Sequence, residues 1–334
     1  MPRFTVMTWN VENLFRPGPD ADLTAEDAYR HKLGLLGDVL NGLAPDIVGL
    51  QEIGSPEAFE DLQQAAGGLF AHAALSSFPD RRGIRVGFLS RYPIEESEDI
   101  VDFPSGPALR IEDVGPDGKA VSVTRMGRGA LRVRINLHGT AVHVVTAHLK
   151  SKLLSYPGAR GGTRFQPRDE GERAQAAVAA LTRRAVEAAT LRIHANSLLV
   201  GNARTRLVLL GDMNDVPEAA TSQILLGPPG SEIGTLGFDR PDQGDDGRLF
   251  NLAPLIPKER RYSRVTHGQG ELIDHILVSA EMMPVQRDGG RRLPVMVDSH
   301  VDVADRLPSM TGDPRGRAAA VVPDHAPVTA SFEF

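Results

Sequence analysis

The stretch that most constrains this chain is Leu207-Val208-Leu209-Leu210-Gly211-Asp212-Met213-Asn214-Asp215. Four consecutive apolar residues read as a short strand buried on both faces. The run stops at Gly211, and Asp212 and Asn214 follow two apart, so both can point to one side of the strand end. A carboxylate and a carboxamide at the mouth of a buried strand suit metal coordination and the holding of a water. Gly, Asp and Asn are also ordinary turn residues, so this stretch alone would fit a strand running into a turn.

The same design recurs along the chain. Phe4 to Trp9 alternates as a strand and ends at Asn10. Ile47 to Leu50 ends in Gln51-Glu52. Ala130 to Asn136 and Ala141 to Thr146, joined through Gly139, read as a hairpin whose second strand delivers His148. Leu272-Ile273 leads into Asp274-His275 and the strand Ile276 to Val278. Val321-Val322-Pro323 precedes Asp324-His325, and Val328 to Phe334 closes the chain as a strand. Between them, Tyr29 to Leu43, Pro56 to Leu69 and Arg168 to Leu198 carry helical signals. Strands alternating with helices call for an α/β fold. Pro284 to Ala320 has little periodicity and reads as a long insertion. No repeat, low-complexity tract or linker divides the chain, and the polar strand ends run from Asn10 to His325. One domain over 1–334 is therefore expected.

The chain has 334 residues and no cysteine, which removes disulfides and thiolate metal sites. It enters its first strand directly, without a charged segment and apolar core, so a cytoplasmic location is expected. No apolar run approaches membrane-spanning length, and nothing points to an obligate protein partner. The net charge of −6 argues weakly against unselective polyanion binding. The distribution says more. Gly118 to Arg168 holds ten Lys and Arg and no acid, whereas Glu95 to Asp117 holds eight acids and one base, Arg110. The basic span is expected to face phosphate.

Taken together, Thr8-Trp9-Asn10-Val11-Glu12-Asn13, Gly49-Leu50-Gln51-Glu52, Thr146-Ala147-His148-Leu149-Lys150-Ser151, Gly211-Asp212-Met213-Asn214-Asp215, Ile273-Asp274-His275-Ile276-Leu277 and Pro323-Asp324-His325-Ala326-Pro327-Val328 resemble the endonuclease/exonuclease/phosphatase, or deoxyribonuclease-I-like, superfamily. They occur in the family's order and span nearly the full length. The resemblance implies a four-layered α/β/β/α sandwich of two packed mixed sheets, with the site where the strands converge. It implies Glu52 as the main metal ligand, supported by Asn10, with Asp212 and Asn214 holding the attacking water. Asp274 would orient His325, Asp324 would complete the metal side, and His148 would sit near the leaving oxygen as an acid or a phosphate-stabilising donor. Oxygen ligands without cysteine point to Mg²⁺ or Mn²⁺.

Gly129-Ala130-Leu131-Arg132-Val133 and Arg173-Ala174-Gln175-Ala176 resemble bacterial nuclease-like members. The chain lacks the Tyr-Arg that inositol polyphosphate 5-phosphatases place after the Asn214 position, and it shows no long aromatic hairpin suited to sphingomyelin. A metal-dependent endonuclease on DNA or RNA is the expected function. Arg128, Lys150, Arg160, Arg164 and Arg173 are the candidate phosphate contacts. A phosphoesterase for a lipid headgroup, sugar phosphate or nucleotide is the alternative, followed by a non-catalytic binding module.

Overall fold

A computed structural model describes residues 3–106, 109–114, 119–158, 162–238, 240, 242–286, 290–305 and 322–334. In chain order the strands are β1 (Arg3–Leu14), β2 (Ile47–Ile53), β3 (His72–Leu75), β4 (Arg85–Ser90), β5 (Ile94–Asp102), β6 (Ile111–Val114), β7 (Ala120–Val123), β8 (Arg125–Leu137) and β9 (Thr140–His148). There follow β10 (Tyr156–Pro157), β11 (Thr163–Arg164), β12 (Leu207–Asp212), β13 (Leu249–Asn251), β14 (Arg264–Thr266), β15 (Gln269–Glu271), β16 (Asp274–Ser279), β17 (Met296–Ser299) and β18 (Val328–Glu333). The α-helices are α1 (Leu23–Leu43), α2 (Pro56–Ala65), α3 (Glu170–Leu199) and α4 (Ala220–Leu226). Asp22, Ser55 and Asp169 cap the first three by accepting a backbone N–H of the opening turn.

Two six-stranded sheets form the centre, ordered β17-β18-β1-β2-β4-β3 and β13-β16-β12-β9-β8-β5. Each is mixed: β1 with β2 and β9 with β12 run parallel, and the other pairs are antiparallel. One apolar cluster, with Phe4, Phe88, Leu210 and Phe250, lies between the sheets. A second fills the space under α1 and α2 around Trp9 and Leu36, and a third lies under α3 around Leu191 and Leu209. The expected four-layered sandwich is the observed fold. It also explains the near-continuous apolar runs, because both faces of the central strands are covered.

At one point the two sheets come very close. A Cβ on Gly49 would stand 2.3 Å from Leu210 Cδ1 and 2.9 Å from Thr146 Oγ1, so any side chain there would have to displace both. Beside it, Gln51 Nε2 of one sheet donates to Thr146 Oγ1 of the other at 2.9 Å. This cross-sheet contact fixes how the polar ends of β2 and β9 face each other.

Two regions differ from the sequence reading. The supposed insertion contains β17, whose Met296–Ser299 pair antiparallel with β18 at the edge of the first sheet. Its composition, Met-Val-Asp-Ser, hides it, because edge strands are short and half polar. Within that stretch, 287–289 and 306–320 lie outside the described residues. The expected one-signed surface is also corrected. β5 and β8 pair antiparallel, with Glu96 opposite Arg134, Glu98 opposite Arg132 and Asp102 opposite Arg125. Ion pairs follow that register: Arg132 with Glu96 and Glu98, Arg134 with Glu95 and Glu96, and Arg125 with Asp102. Arg125, Arg132 and Arg134 of the basic block are thus neutralised by the acidic block across one sheet edge.

Candidate active site

The strand register builds the site. On β9, β12 and β16, His148 stands opposite Asp212 and Asp212 opposite Asp274. Directly opposed residues share a face of a sheet, so the three side chains form a row. Asn10 and Glu52 come from β1 and β2 of the other sheet, and Asp324-His325 precede β18. Asn10 Nδ2 closes the gap between the sheets, 3.0 Å from Asp212 Oδ2 and 3.4 Å from Glu52 Oε1.

Backbone strain marks the same place. Glu12, Asn13, Glu52 and Asn214 have φ of 46°, 49°, 67° and 53°, in the left-handed region. Each costs on the order of 1 kcal/mol, and such residues persist where the surroundings over-determine them. The compensating bonds are visible. Asn13 N–H donates to Glu52 Oε2, Glu12 N–H to Asn10 Oδ1, and Asn214 N–H to Asp212 Oδ1, each at 2.9 Å. Buried Lys32 of α1 donates its amine to the Glu12 carbonyl and braces this turn from below.

The two histidines are equally buried, at 3% and 2% exposure, and differ in charge. His325 Nδ1 is 2.7 Å from Asp274 Oδ2, and Ser263 Oγ donates to the same oxygen at 2.6 Å. Burial alone would lower the His325 pKa. The Asp274 charge and hydrogen bond, helped by Asp212, outweigh it and hold the ring above the usual imidazole range. His148 Nε2 lies 3.3 Å from Asp212 Oδ2, but its Nδ1 has no hydrogen-bond partner. Burial first, then the Arg128 charge, push its pKa well below the ordinary value, so this ring is neutral at neutral pH.

Asp212 sits at the middle of the row. Burial and the Asp274 charge push its carboxyl up to about 6, against the donors on its oxygens. Asn214, on the cavity lining, donates Nδ2 to the Leu149 carbonyl at 3.1 Å. Asp324 Oδ2 is paired with Arg264 at 2.8 Å, and its Oδ1 is 3.6 Å from His325 Nε2. These groups open into a cavity of about 550 Å³, with Arg82, Arg128 and Arg264 on its walls. Asp274 lies behind His325 and is not part of the lining.

Asp212, Asp274 and His325 each bring one ligand atom within 4.8 Å of the others. His325 Nδ1 is committed to Asp274, however, so this trio is a hydrogen-bonded charge network. Glu52, Asp212 and Asp324 add three carboxylates around the cavity, without a soft ligand, and that fits a hard cation. Asn10 Oδ1 already accepts the Glu12 N–H, and its amide nitrogen faces the acids. In this arrangement it bridges two carboxylates and does not offer them an oxygen.

The expected phosphate contacts separate. Arg128 reaches the cavity wall, with Nε 3.4 Å from Asp80 Oδ2. Lys150 lies just outside, its amine donating to the Ser151 and Leu153 carbonyls at 3.1 and 3.2 Å. Burial, followed by the Arg128 charge, pushes that amine down to about 8. Arg164 is ion-paired with Glu172 and stands over the Tyr156 ring, and Arg173 bonds Glu170 at 2.7 Å. Neither lines the cavity. Arg160 lies outside the described residues. Sequence reasoning missed Ser263, Arg264, Arg82 and Lys32. No apolar strand end announces the first three, and Lys32 sits on a helix whose pattern marks only its buried face.

The fold and the acid–histidine array define a hydrolytic phosphoesterase. The chain belongs to the endonuclease/exonuclease/phosphatase family, whose model matches residues 7–296; the family is divalent-metal dependent. A search of curated proteins finds no match. Among solved structures, humanized D. rerio TDP2 is similar over 99% of this chain and 99% of its own, with a TM-score of 0.56 and 16% identity. Truncated Caenorhabditis elegans TDP2 is similar over 99% and 98%, at TM-score 0.54 and 13% identity. The 3′ phosphatase NExo from Neisseria covers 99% and 100%, at TM-score 0.53 and 17% identity. At these identities the likeness is one of fold. Among the described residues, no helix is long and apolar enough to cross a membrane.

Proposed function

We propose that this chain is a Mg²⁺- or Mn²⁺-dependent nuclease, a single domain over 1–334 that hydrolyses phosphodiester bonds of DNA or RNA. The observation that carries this reading is the His148–Asp212–Asp274 row with His325 on Asp274, at the floor of an open cavity with arginine on its walls. D. rerio TDP2 has been solved with a single-strand DNA product, and NExo with a product DNA hairpin, which supports a nucleic-acid substrate for this scaffold.

Glu52 and Asp212, with Asp324 beside them, would hold the cation, which supplies charge neutralisation at the phosphate. Asp212 would accept a proton from the attacking water, and Asn214 would orient that water. His325, kept charged by Asp274, turns its Nε2–H toward the phosphate and stabilises the oxygen charge that develops. The acid role expected of His148 passes to His325, because a neutral ring with a depressed pKa is a poor acid at pH 7. His148 instead stands with Nε2 3.3 Å from Asp212 Oδ2 and packs against that carboxylate.

A second reading, a phosphoesterase for a small substrate such as a lipid headgroup, sugar phosphate or nucleotide, draws support from Arg164 and Arg173. Their ion pairs shorten the basic track that a polymer would follow. One panel separates the two: plasmid, single-stranded DNA, RNA, sphingomyelin and inositol phosphates, with Mg²⁺, Mn²⁺ or chelator. Metal-dependent cleavage of a nucleic acid is expected. Turnover of only the small substrates would favour the second reading, and full activity in chelator would remove the metal.

A further inference from the structure

α3 carries two charged side chains that the reaction above does not use. Arg184 and Glu187 lie one turn apart and are nearly fully buried, at 5% and 1% exposure. Further along the same helix, Ala188, Leu191 and Ala195 pack into the apolar cluster beneath it. Ions taken out of water are costly unless hydrogen bonds satisfy them. Here those bonds go to the backbone of the site.

Glu187 Oε1 accepts the Gly127 N–H at 2.9 Å, its Oε2 accepts the Lys150 N–H at 2.6 Å, and Arg183 pairs with the same carboxylate. Arg184 Nη1 donates to the Lys150 carbonyl at 3.0 Å, and its Nε donates to Asp215 Oδ2 at 3.2 Å. The two side chains thus hold Lys150 by both of its backbone groups. Each partner adjoins a residue of the site: Gly127 precedes Arg128, Lys150 lies just beyond His148, and Asp215 follows Asn214.

The end of β9 explains the need. The strand stops at His148, so the residues after it must find backbone partners elsewhere. Leu149 is held from the site side. Its N–H donates to the Asp212 carbonyl at 3.0 Å, and its carbonyl accepts Asn214 Nδ2 at 3.1 Å and Arg128 Nη1 at 3.3 Å. Lys150 is held from the helix side. Both charges have a use there, since an N–H needs an acceptor and a carbonyl needs a donor.

We infer that Arg184 and Glu187 are positioning residues of this phosphoesterase site: from α3 they fix the Lys150 backbone and so set His148, Arg128 and Asn214 against Asp212. Their effect on rate rests on the reading above, which places the reaction at Asp212; the geometric link from α3 to Asn214 does not.

The test uses the full chain with Glu187→Gln, Arg184→Lys and, as a control, Leu199→Ala. Glu187→Gln keeps the size but turns an NH₂ toward one of the two N–H groups that the carboxylate accepts. Arg184→Lys keeps the charge but lacks the fork that reaches both the Lys150 carbonyl and Asp215. Leu199→Ala removes core packing at the far end of α3, away from these bonds. Hydrolysis of bis(p-nitrophenyl) phosphate with Mn²⁺ is measured at a temperature where circular dichroism shows each protein folded. A kcat about tenfold below wild type in Glu187→Gln and Arg184→Lys, with Leu199→Ala within about twofold, is expected. Wild-type kcat in either of the first two removes that residue from the role. An equal fall in Leu199→Ala reduces both to ordinary helix packing.

The second arm reads position without turnover. In chelator, hydrogen exchange of the Asn214 carboxamide followed by NMR reports its bond to the Leu149 carbonyl. Exchange about tenfold faster in Glu187→Gln and Arg184→Lys, and unchanged in Leu199→Ala, is expected. Unchanged exchange in all three overturns the link from α3 to Asn214. If Glu187→Gln does not fold, Arg184→Lys decides both arms. No turnover by the wild-type protein strikes the phosphodiester reading, while the exchange measurement still decides the positioning role.

Discussion

His148 and His325 sit on opposite flanks of Asp212, and they teach different lessons from the same burial. The ring of His325 has a carboxylate on Nδ1, and that partner overcomes desolvation and keeps it charged. The ring of His148 has nothing on Nδ1 and arginine nearby, so desolvation wins and it stays neutral. Partner chemistry, more than depth, decides which histidine can serve as a cationic donor. The carboxylate itself is built by Ser263, which donates its hydroxyl to Asp274 and accepts the Ile273 and Asp274 N–H groups at 3.1 Å.

The sharpest way to break this contrast is to remove the charged ring. His325→Ala should lower kcat for DNA cleavage by roughly a hundredfold or more, the scale expected of a proton-donating or charge-stabilising group. Asp274→Asn should approach the same loss with the ring still present, because the tautomer and charge both go. Wild-type rates in either variant would remove the dyad from the mechanism.

His148→Ala should cost less, about tenfold, since it removes one polar neighbour of the Asp212 carboxylate. A loss as large as that of His325→Ala would mean that the neutral ring acts directly on the phosphate.

Stability should separate the histidines by pH. The folded pKa of His325 is raised, so its contribution is full below the unfolded value of about 6.5 and fades as pH rises through the folded value. The melting temperature of His325→Ala in chelator should therefore fall further below wild type at pH 6 than at pH 9. His148→Ala should show the opposite slope, because its folded pKa is depressed and the neutral ring is favoured as pH rises. Parallel curves would contradict the assignment of charge.

The smallest effect belongs far from the site. Arg132→Ala should cost about 0.5 kcal/mol in denaturant unfolding and leave cleavage unchanged, since its acid partners are nearly half exposed, at 46% and 49%. A clear fall in DNA affinity would return β8 to a phosphate-binding role.

Much of this was legible in the sequence. Runs such as Leu207 to Leu210 and Ile47 to Leu50 mark central strands because both faces are buried, and the polar residue ending each run lands at the site. Register was not legible, because it depends on partners far away in the chain. The basic span misled for that reason: Arg125, Arg132 and Arg134 lie one strand from the acids that neutralise them, a relation that linear spacing conceals. Ser263 and Arg264 left no trace, since they lie just before and at the start of a short two-stranded hairpin without an apolar run. Met296–Ser299 escaped because an edge strand needs little apolar character.

Histidine ring titration by NMR, in chelator, tests the division of roles most directly. The His325 ring should titrate above pH 6.5, and His148 should stay neutral to well below it. Asp274→Asn should bring His325 down and leave His148 where it is. A protonated His148 beside a neutral His325 at pH 7 would contradict the account.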